Sequence, residues 1–334
     1  MSTDFEERIA EYLRGKMPHV ENLTLLKLER LYGGIGRETY ELSVRWEEEG
    51  KLVTREFILR RDQPAGVFRD TEVSLENEYN AMKVLYHTEI PVPRTYWFES
   101  DPKWFNRNFM IEEKLPGIVA LETVTDSNQR EKLVDQFIRY LAMLHTLDVG
   151  SLGLPKADIP TDPRECTARE IAKWERAFMR EKLEDDPLMV EALVWLKKTQ
   201  PKKVQRISLL WGDPGPGNFL FEGDKIIALL DWDMSHIGDP MSDIGWICWR
   251  GSYYEEELIP AETLFRLYEK YSGLKIDQES LHYFKVFGLF VALTCCITGK
   301  NSFCTGRNLQ MDHAAIGMGT VQLFRETLIQ WLGL

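Results

Sequence analysis

The stretch from Leu209 to Asp233 limits what this chain can become more than any other part of it. An apolar start, Leu209-Leu210-Trp211, runs into a polar loop, Gly212-Asp213-Pro214-Gly215-Pro216-Gly217-Asn218. A second short apolar run, Phe219-Leu220-Phe221, a turn at Glu222-Gly223-Asp224-Lys225 and a third run, Ile226 to Leu230, lead to Asp231. The two prolines stiffen the loop and its glycines let the backbone bend freely. Asp, Asn, Gly and Pro are also the ordinary residues of turns, and the loop by itself would pass for one. The hairpin argues otherwise, because it brings a second acidic strand end, Asp231, back beside Asp213 and Asn218.

The rest of the chain divides around this island. Phe5, Ile9, Leu13 and Met17 recur at helical spacing and predict an amphipathic first helix. Strands are predicted at Leu23–Leu31, Thr39–Trp46 and Leu52–Arg60, joined by glycine-bearing turns. A helix near Glu72–His87 follows, then extended chain forced by Ile90-Pro91-Val92-Pro93, and two more strands, Arg94–Glu99 and Asn108–Glu113, with a turn at Asp101-Pro102. Beyond Leu115-Pro116-Gly117 helical periodicity dominates, with helices predicted over Arg130–Thr146, Thr167–Leu183, Pro187–Lys198, Ala261–Tyr271, Gln278–Thr298 and Asp312–Trp331. The expected fold class is α+β in two lobes. A small antiparallel β lobe with one internal helix takes residues 1–112, and a large helical lobe takes 113–334, with a hinge near Glu112–Gly117.

Composition removes several function classes. A formal net charge of −12 repels nucleic acid and anionic membrane, so neither is an expected partner. Five cysteines, with no C-x-x-C pair, suggest reduced thiols rather than a disulfide framework. The apolar stretch from Val286 to Thr298 is too short to span a bilayer and reads as a buried helix. The charged N-terminus carries no apolar signal core, and the expectation is a soluble, cytoplasmic protein.

Phosphoryl transfer is the chemistry that asks for the residues of the island. A carboxylate must orient and accept the proton of a hydroxyl nucleophile, and hard oxygen ligands must hold magnesium against nucleotide phosphates. Asp213 fits the base; Asn218 and Asp231 fit the metal ligands. The sequence here resembles the aminoglycoside phosphotransferase–choline kinase family, a branch of the protein-kinase-like fold. Trp211-Gly212-Asp213 to Asn218 resembles that family's H-G-D-x-x-x-x-N loop, with tryptophan in place of the usual histidine. Leu230-Asp231-Trp232-Asp233 resembles its I-D-[FW]-[DE] metal strand, and Gly238-Asp239-Pro240-Met241-Ser242-Asp243 its G-D-P-x-x-D segment. The resemblance covers nearly the whole chain and implies a kinase that uses ATP and Mg2+ on a small-molecule hydroxyl.

It also implies specific parts in the β lobe. Gly33, Gly34 and Gly36 would bring backbone amides over the triphosphate. Arg60, alternating with Ile58 on the third strand, would stand where such kinases carry lysine, while Arg61 points to the other face and into solvent. Glu78 falls within the apolar stripe Leu75, Tyr79, Met82, and a carboxylate placed there needs a cation; Arg60 is its natural partner. The backbone near Glu112, Glu113 and Lys114 would meet adenine. His145 reads as a core histidine, Asp239 and Asp243 as a helix cap and a brace of the catalytic loop, with Asp239 an alternative acceptor-site group, and Trp174, Trp246 and Trp249 as packing residues.

Two rivals remain at this level. One is a catalytically inactive nucleotide-binding protein of the same fold, against which the retention of Asp213, Asn218 and Asp231 argues. The other is a protein kinase, disfavoured by the absence of an Ala-Pro-Glu-like segment and of a long loop between Asp231 and Gly238. Candidate acceptors are aminoglycosides, choline-like amines, sugars, homoserine-like amino acids and hydroxyacyl thioesters. The Trp-Gly-Asp form of the loop resembles relatives linked to acyl-CoA dehydrogenases and tilts the reading toward hydroxyacyl-CoA.

Overall fold

The computed structural model describes residues 3–32, 36–63, 65–68, 71, 73–154, 159–251, 258–319 and 321–334. Two of the glycines singled out above, Gly33 and Gly34, lie outside the described residues, as does Glu72 at the start of the expected helix.

Strands β1 (Glu21–Leu31), β2 (Arg37–Glu48) and β3 (Lys51–Asp62) form antiparallel hairpins, and β5 (Phe109–Glu113) and β4 (Thr95–Glu99) complete a five-stranded sheet in the order β1-β2-β3-β5-β4. Strict alternation decides its two faces. Tyr40, Leu42, Val44 and Trp46 of β2, Phe57 and Leu59 of β3, and Phe109 and Ile111 of β5 are all buried on one side. Helix α1 (Thr3–Lys16) covers that side with Ile9, Tyr12 and Leu13 and closes a separate hydrophobic core. The opposite side of the sheet, carrying Thr39 and Arg60 in register with one another, is left to face the second lobe.

Helix α2 (Leu75–Leu85) begins at Ser74, whose hydroxyl accepts from the Asn77 amide at 3.1 Å. The Asp101-Pro102 turn expected from sequence is the start of a one-turn helix, α3 (Pro102–Phe105), capped by Asp101. The chain leaves β5 through 114–117 and is pinned where Ile118 and Phe221 exchange backbone hydrogen bonds of 3.0 Å each way.

The larger lobe contains α4 (Ser127–Thr146), α5 (Arg164–Glu181), α6 (Pro187–Lys198), α7 (Met241–Gly251), α8 (Ala261–Ser272), α9 (Gln278–Cys304), α10 (Met311–Met318) and α11 (Val321–Leu332). The single helix expected over Asp312–Trp331 is thus two, with α10 ending beside Gly319. Helix α9, at 27 residues, runs beyond the apolar stretch that announced it. By length and composition it could cross a membrane, but 78% of its most apolar window is buried within the fold, against α5, α6, α7, α10 and α11. The β island supplies two small antiparallel pairs, β7 (Phe219–Glu222) with β8 (Lys225–Leu229), and β6 (Ser208–Leu210) with β9 (His236–Gly238). The five cysteines are free thiols.

One sequence expectation is wrong in this lobe arrangement. Arg61 does point away from Arg60, but not into solvent: it is only 8% exposed. The apolar face of the sheet is roofed by α1 and α3, so a side chain on it must be buried, and Arg61 is accommodated by an acid on the neighbouring strand. Its guanidinium donates to Glu38 at 2.8 and 2.5 Å and to the Tyr40 hydroxyl at 2.9 Å, and lies 4.3 Å from the Phe5 ring centre. Glu38 also lies 3.2 Å from Arg107. Removing one partner of a buried pair leaves an uncompensated charge, typically at a cost of about 3–5 kcal/mol. Glu38→Ala is therefore expected to lower unfolding free energy by roughly 3 kcal/mol in urea titrations; a loss well under 1 kcal/mol would show that Arg61 is held by its aromatic neighbours alone.

Candidate active site

A cavity of about 500 Å³ opens between the cleft face of the sheet and the helical lobe. Asp213, Asp231 and Asp233 reach it from the β island, Arg37, Thr39 and Arg60 from the sheet, and Trp246 and Arg250 from α7. A larger groove of about 1380 Å³ runs over the surface between the start of α4, the β7–β8 turn and α8, away from these residues.

Asp213 sits in the loop after β6. Gly212, just before it, has φ +88°, and a Cβ there would stand 2.2 Å from the Met234 carbonyl oxygen, so only glycine lets the loop cross this segment. The loop is fixed from α7. The two oxygens of Asp243 take the backbone amides of Trp211 at 2.8 Å and Gly212 at 3.0 Å, and Asp243 is held in turn by His145 at 3.0 Å. His145 is fully buried and its other ring nitrogen meets the Tyr268 hydroxyl, the structural role expected of it. Asp239 accepts the Met241 amide at 2.9 Å at the start of α7, as a cap would.

The side chain of Asp213 is itself clamped. Its Oδ1 accepts from the Trp246 indole and from Arg250, each at 2.6 Å, leaving Oδ2 for a further partner. Burial pushes the Asp213 carboxyl above its ordinary range; the Arg250 cation beside it works the other way, and the negative charge of Asp231 adds to the rise. Trp246, read from sequence as a packing residue only, and Arg250, not singled out there, thus both touch the Asp213 carboxylate. The one available signal was their spacing, three and seven residues beyond Asp243, which puts all three on one helix face.

Asn218 donates its amide nitrogen to the Asp213 carbonyl at 2.8 Å, which leaves its amide oxygen as the group a cation could use. Its own carbonyl accepts the Leu230 amide at 2.8 Å, so the residue preceding Asp231 is anchored directly on Asn218. Asp231 has φ +63°, a left-handed conformation that costs a non-glycine residue about 1 kcal/mol or more. Its Oδ1 accepts from Arg60 at 2.9 Å. One carboxylate and one amide oxygen fit magnesium, which keeps most of its octahedron for phosphate and water. Among the described residues no three His, Cys, Asp or Glu side chains form a ready-made metal cage.

The pair expected from the stripe of α2 forms: Arg60 Nη1 bonds Glu78, while Nη2 holds Asp231. Glu78 is fully buried, and burial lifts its carboxyl while Arg60 draws it down. Glu78 also accepts the Trp232 amide at 3.4 Å, and Asn77, next to it, donates to the Ser235 carbonyl at 2.6 Å. Glu112, named above only for its backbone, is a further buried carboxylate, 6% exposed, whose field supports the charge of Arg60. Glu113 ends β5, with its amide spent on the Arg94 carbonyl at 2.8 Å. The Lys114 side chain turns back to Glu41 and Glu56 at 2.9 and 2.8 Å. Gly36 stands over the acidic strand: a Cβ there would lie 3.7 Å from Asp233 Oδ2. Trp249 lines the cavity and packs on Trp246 and Phe324, whereas Trp174 is buried in the core of the helical lobe.

Asp239 yields a pH test that leaves the cavity untouched. Burial pushes its carboxyl up to about 7, against the stabilising amide of Met241. In the unfolded chain the group ionises near pH 4, so folding takes up a proton at intermediate pH, and stability falls as pH rises from the unfolded toward the folded value. Asp239→Asn keeps an acceptor for Met241 and removes the buried charge. The expected gain in Tm is larger at about pH 8 than at about pH 5; an equal change at both pH values would mean that Asp239 does not titrate this way.

Known proteins resemble this chain in sequence and in fold. Acyl-CoA dehydrogenase family member 10 of Mus musculus is 26% identical over 221 residues, covering 65% of this chain and 20% of that protein. Acyl-CoA dehydrogenase family member 11 of Homo sapiens is 25% identical over 292 residues, covering 82% of this chain and 37% of that protein. The chain thus spans between a fifth and just over a third of the length of these relatives. Among solved structures, a Ralstonia eutropha protein provisionally assigned as an aminoglycoside phosphotransferase superposes with a TM-score of 0.72 over 98% of both chains at 22% identity. A thermostable mutant of the aminoglycoside phosphotransferase APH(4)-Ia, in a ternary complex with ADP and hygromycin B, superposes with a TM-score of 0.62 over 97% of this chain and 98% of its own at 15% identity. These likenesses establish a shared fold. Residues 31–279 match the model of the APH phosphotransferase enzyme family, and the chain is a member of that family.

Proposed function

We propose that this chain transfers the terminal phosphoryl group of ATP to a hydroxyl of a small molecule, and that the acceptor is a hydroxyacyl thioester. The observation that carries the reading is the shared cavity: Asp213, with one oxygen clamped and one available, opens on the same space as Asp231 and Arg60. A base, a metal-ligand carboxylate and a phosphate-directed cation around one cavity are the parts that in-line phosphoryl transfer needs.

Asp213 Oδ2 orients the acceptor hydroxyl and takes its proton as the bond to phosphorus forms. Asn218 and Asp231 would hold Mg2+, which would neutralise charge on the phosphates. Arg60, held by Glu78, faces the α- and β-phosphates, and the backbone at Gly36 adjoins the triphosphate. The backbone of Glu113 and Lys114 meets adenine, with the contact at Glu113 falling to its carbonyl because its amide is already bonded. In this division residues 1–112 cover the nucleotide and residues 113–334 carry the base, the metal ligands and the acceptor.

The acceptor side supports an acyl compound over a polycation. Beyond Asp213 the wall is apolar, formed by Trp246, Trp249, Ala292, Ile316 and Phe324, with Arg250 the charged group beside it. Such a wall suits a hydrocarbon chain. The relatives named above carry acyl-CoA chemistry in their names.

Asp213→Asn is expected to lower kcat by at least about a hundredfold, the usual worth of a positioned base, with nucleotide affinity and Tm nearly unchanged. Near-normal turnover would remove Asp213 from its role. In an ADP-release assay over matched panels, hydroxyacyl-CoA esters are expected to be turned over and aminoglycosides not. The reverse preference would overturn the acceptor assignment while leaving the phosphotransfer reading intact.

A further inference from the structure

The first residue of β2, Arg37, is a buried cation with unfinished hydrogen bonding. It is 8% exposed, and among the described residues its Nε and Nη2 have no hydrogen-bond partner. Its one hydrogen bond goes from Nη1 to the adjacent Gly36 carbonyl at 3.2 Å. Its charged neighbours are Asp233 Oδ2 at 3.4 Å and Asp62 Oδ1 at 3.5 Å, both long for an arginine that could form a bidentate fork. A desolvated guanidinium with unmade bonds is unfavourable unless something completes it. Among the described residues, the other two arginines on the cavity are already bonded to its acids, Arg60 to Asp231 and Arg250 to Asp213.

Its position in the sheet says what would complete it. On the cleft face the order along the strands can be read from the register. Phe57 pairs with Glu113, at the level where the chain leaves for the hinge; Arg60 pairs with Thr39, three residues further on; Arg37 pairs with Asp62, two residues beyond that. At roughly 3.4 Å per residue, Arg60 lies about 10 Å and Arg37 about 17 Å from the hinge level. A nucleotide with its base at the hinge and its first two phosphates at Arg60 extends its terminal phosphate toward Arg37. Alternation puts Arg37, Thr39 and Arg60 on the same side of the sheet, and all three line the cavity with Asp213.

We infer that Arg37 is a second phosphate-directed cation of this enzyme, one that contacts the terminal phosphoryl group of the nucleotide during transfer. This rests on the ATP reading above, and the test separates the two.

The test compares ADP with AMP-PNP, both with magnesium, by titration calorimetry on the full chain. Arg37→Gln is expected to weaken AMP-PNP binding about tenfold or more, as loss of charged hydrogen bonds does, while ADP affinity stays within about twofold. Arg37→Lys, which keeps the charge without the fork, is expected to fall between the two. If Arg37→Gln unfolds, judged by its thermal melt, the lysine variant carries the same comparison. An equal loss for ADP and AMP-PNP would make Arg37 a prop of the glycine-bearing turn, and no loss for either would make it a partner of Asp233 only; both results overturn the inference. Failure of the unmodified chain to bind either nucleotide would overturn the ATP reading itself, and the inference with it.

Discussion

One guanidinium joins the two lobes. Arg60 gives one nitrogen to Glu78 on α2 and the other to Asp231, two residues beyond β8, so the sheet, the helix and the segment after β8 share one charged node. The node exists because α2 turns an acid inward. A carboxylate buried on an apolar helix face is tolerable only with a cation against it, and the third strand supplies one from its cleft face. The consequence is mechanical as well as electrostatic. Glu78 and its neighbour Asn77 also hold the backbone of 232–235, tying the turn between β8 and β9 to α2.

On the opposite wall, a single helix does comparable work. Asp243, Trp246 and Arg250 are spaced so that one face of α7 receives two backbone amides of the catalytic loop and grips one oxygen of Asp213. The loop carrying the proposed base is thus fixed at its backbone and its side chain from the same rigid element. That is how a short, glycine-rich loop can present a carboxylate in one orientation without being stiff itself. The helix is secured in turn from the core, through Asp243 to His145 and Tyr268.

What the sequence made legible was local. The strands of the β lobe follow from alternation, and Asp213, Asn218 and Asp231 stand out because glycines, prolines and apolar runs frame them within a short span. Glu78 was legible because a charge in an apolar helical stripe demands a partner. What stayed hidden is what only three-dimensional closure creates. Trp246 and Arg250 look like any tryptophan and arginine on an amphipathic helix until α7 is laid across the loop. Arg37 and Glu112 are ordinary strand residues until the sheet face they share is buried against the second lobe. Arg61 failed for the same reason in reverse: alternation gave its direction correctly, but the covering by α1 that buries it is a tertiary fact, and the acid that accepts it lies on the facing strand.

Trp211 shows how a departure from a motif can be absorbed. At this position the resemblance leads one to expect histidine, a side chain that would brace the loop through its ring nitrogens. The indole reaches the same end by different contacts. Its N–H bonds the Leu230 carbonyl at 2.8 Å, and its ring stacks on Trp232 with centres 5.3 Å apart and planes 20° from parallel. Leu230 and Trp232 flank Asp231 on either side, so the residue two before the proposed base directly positions the neighbours of the proposed metal ligand. A fully buried bicyclic ring tolerates little displacement, and it ties the catalytic loop to the acidic strand through packing where an imidazole would rely on hydrogen bonds alone. The indole thus links the segment that carries position 213 to the segment that carries position 231.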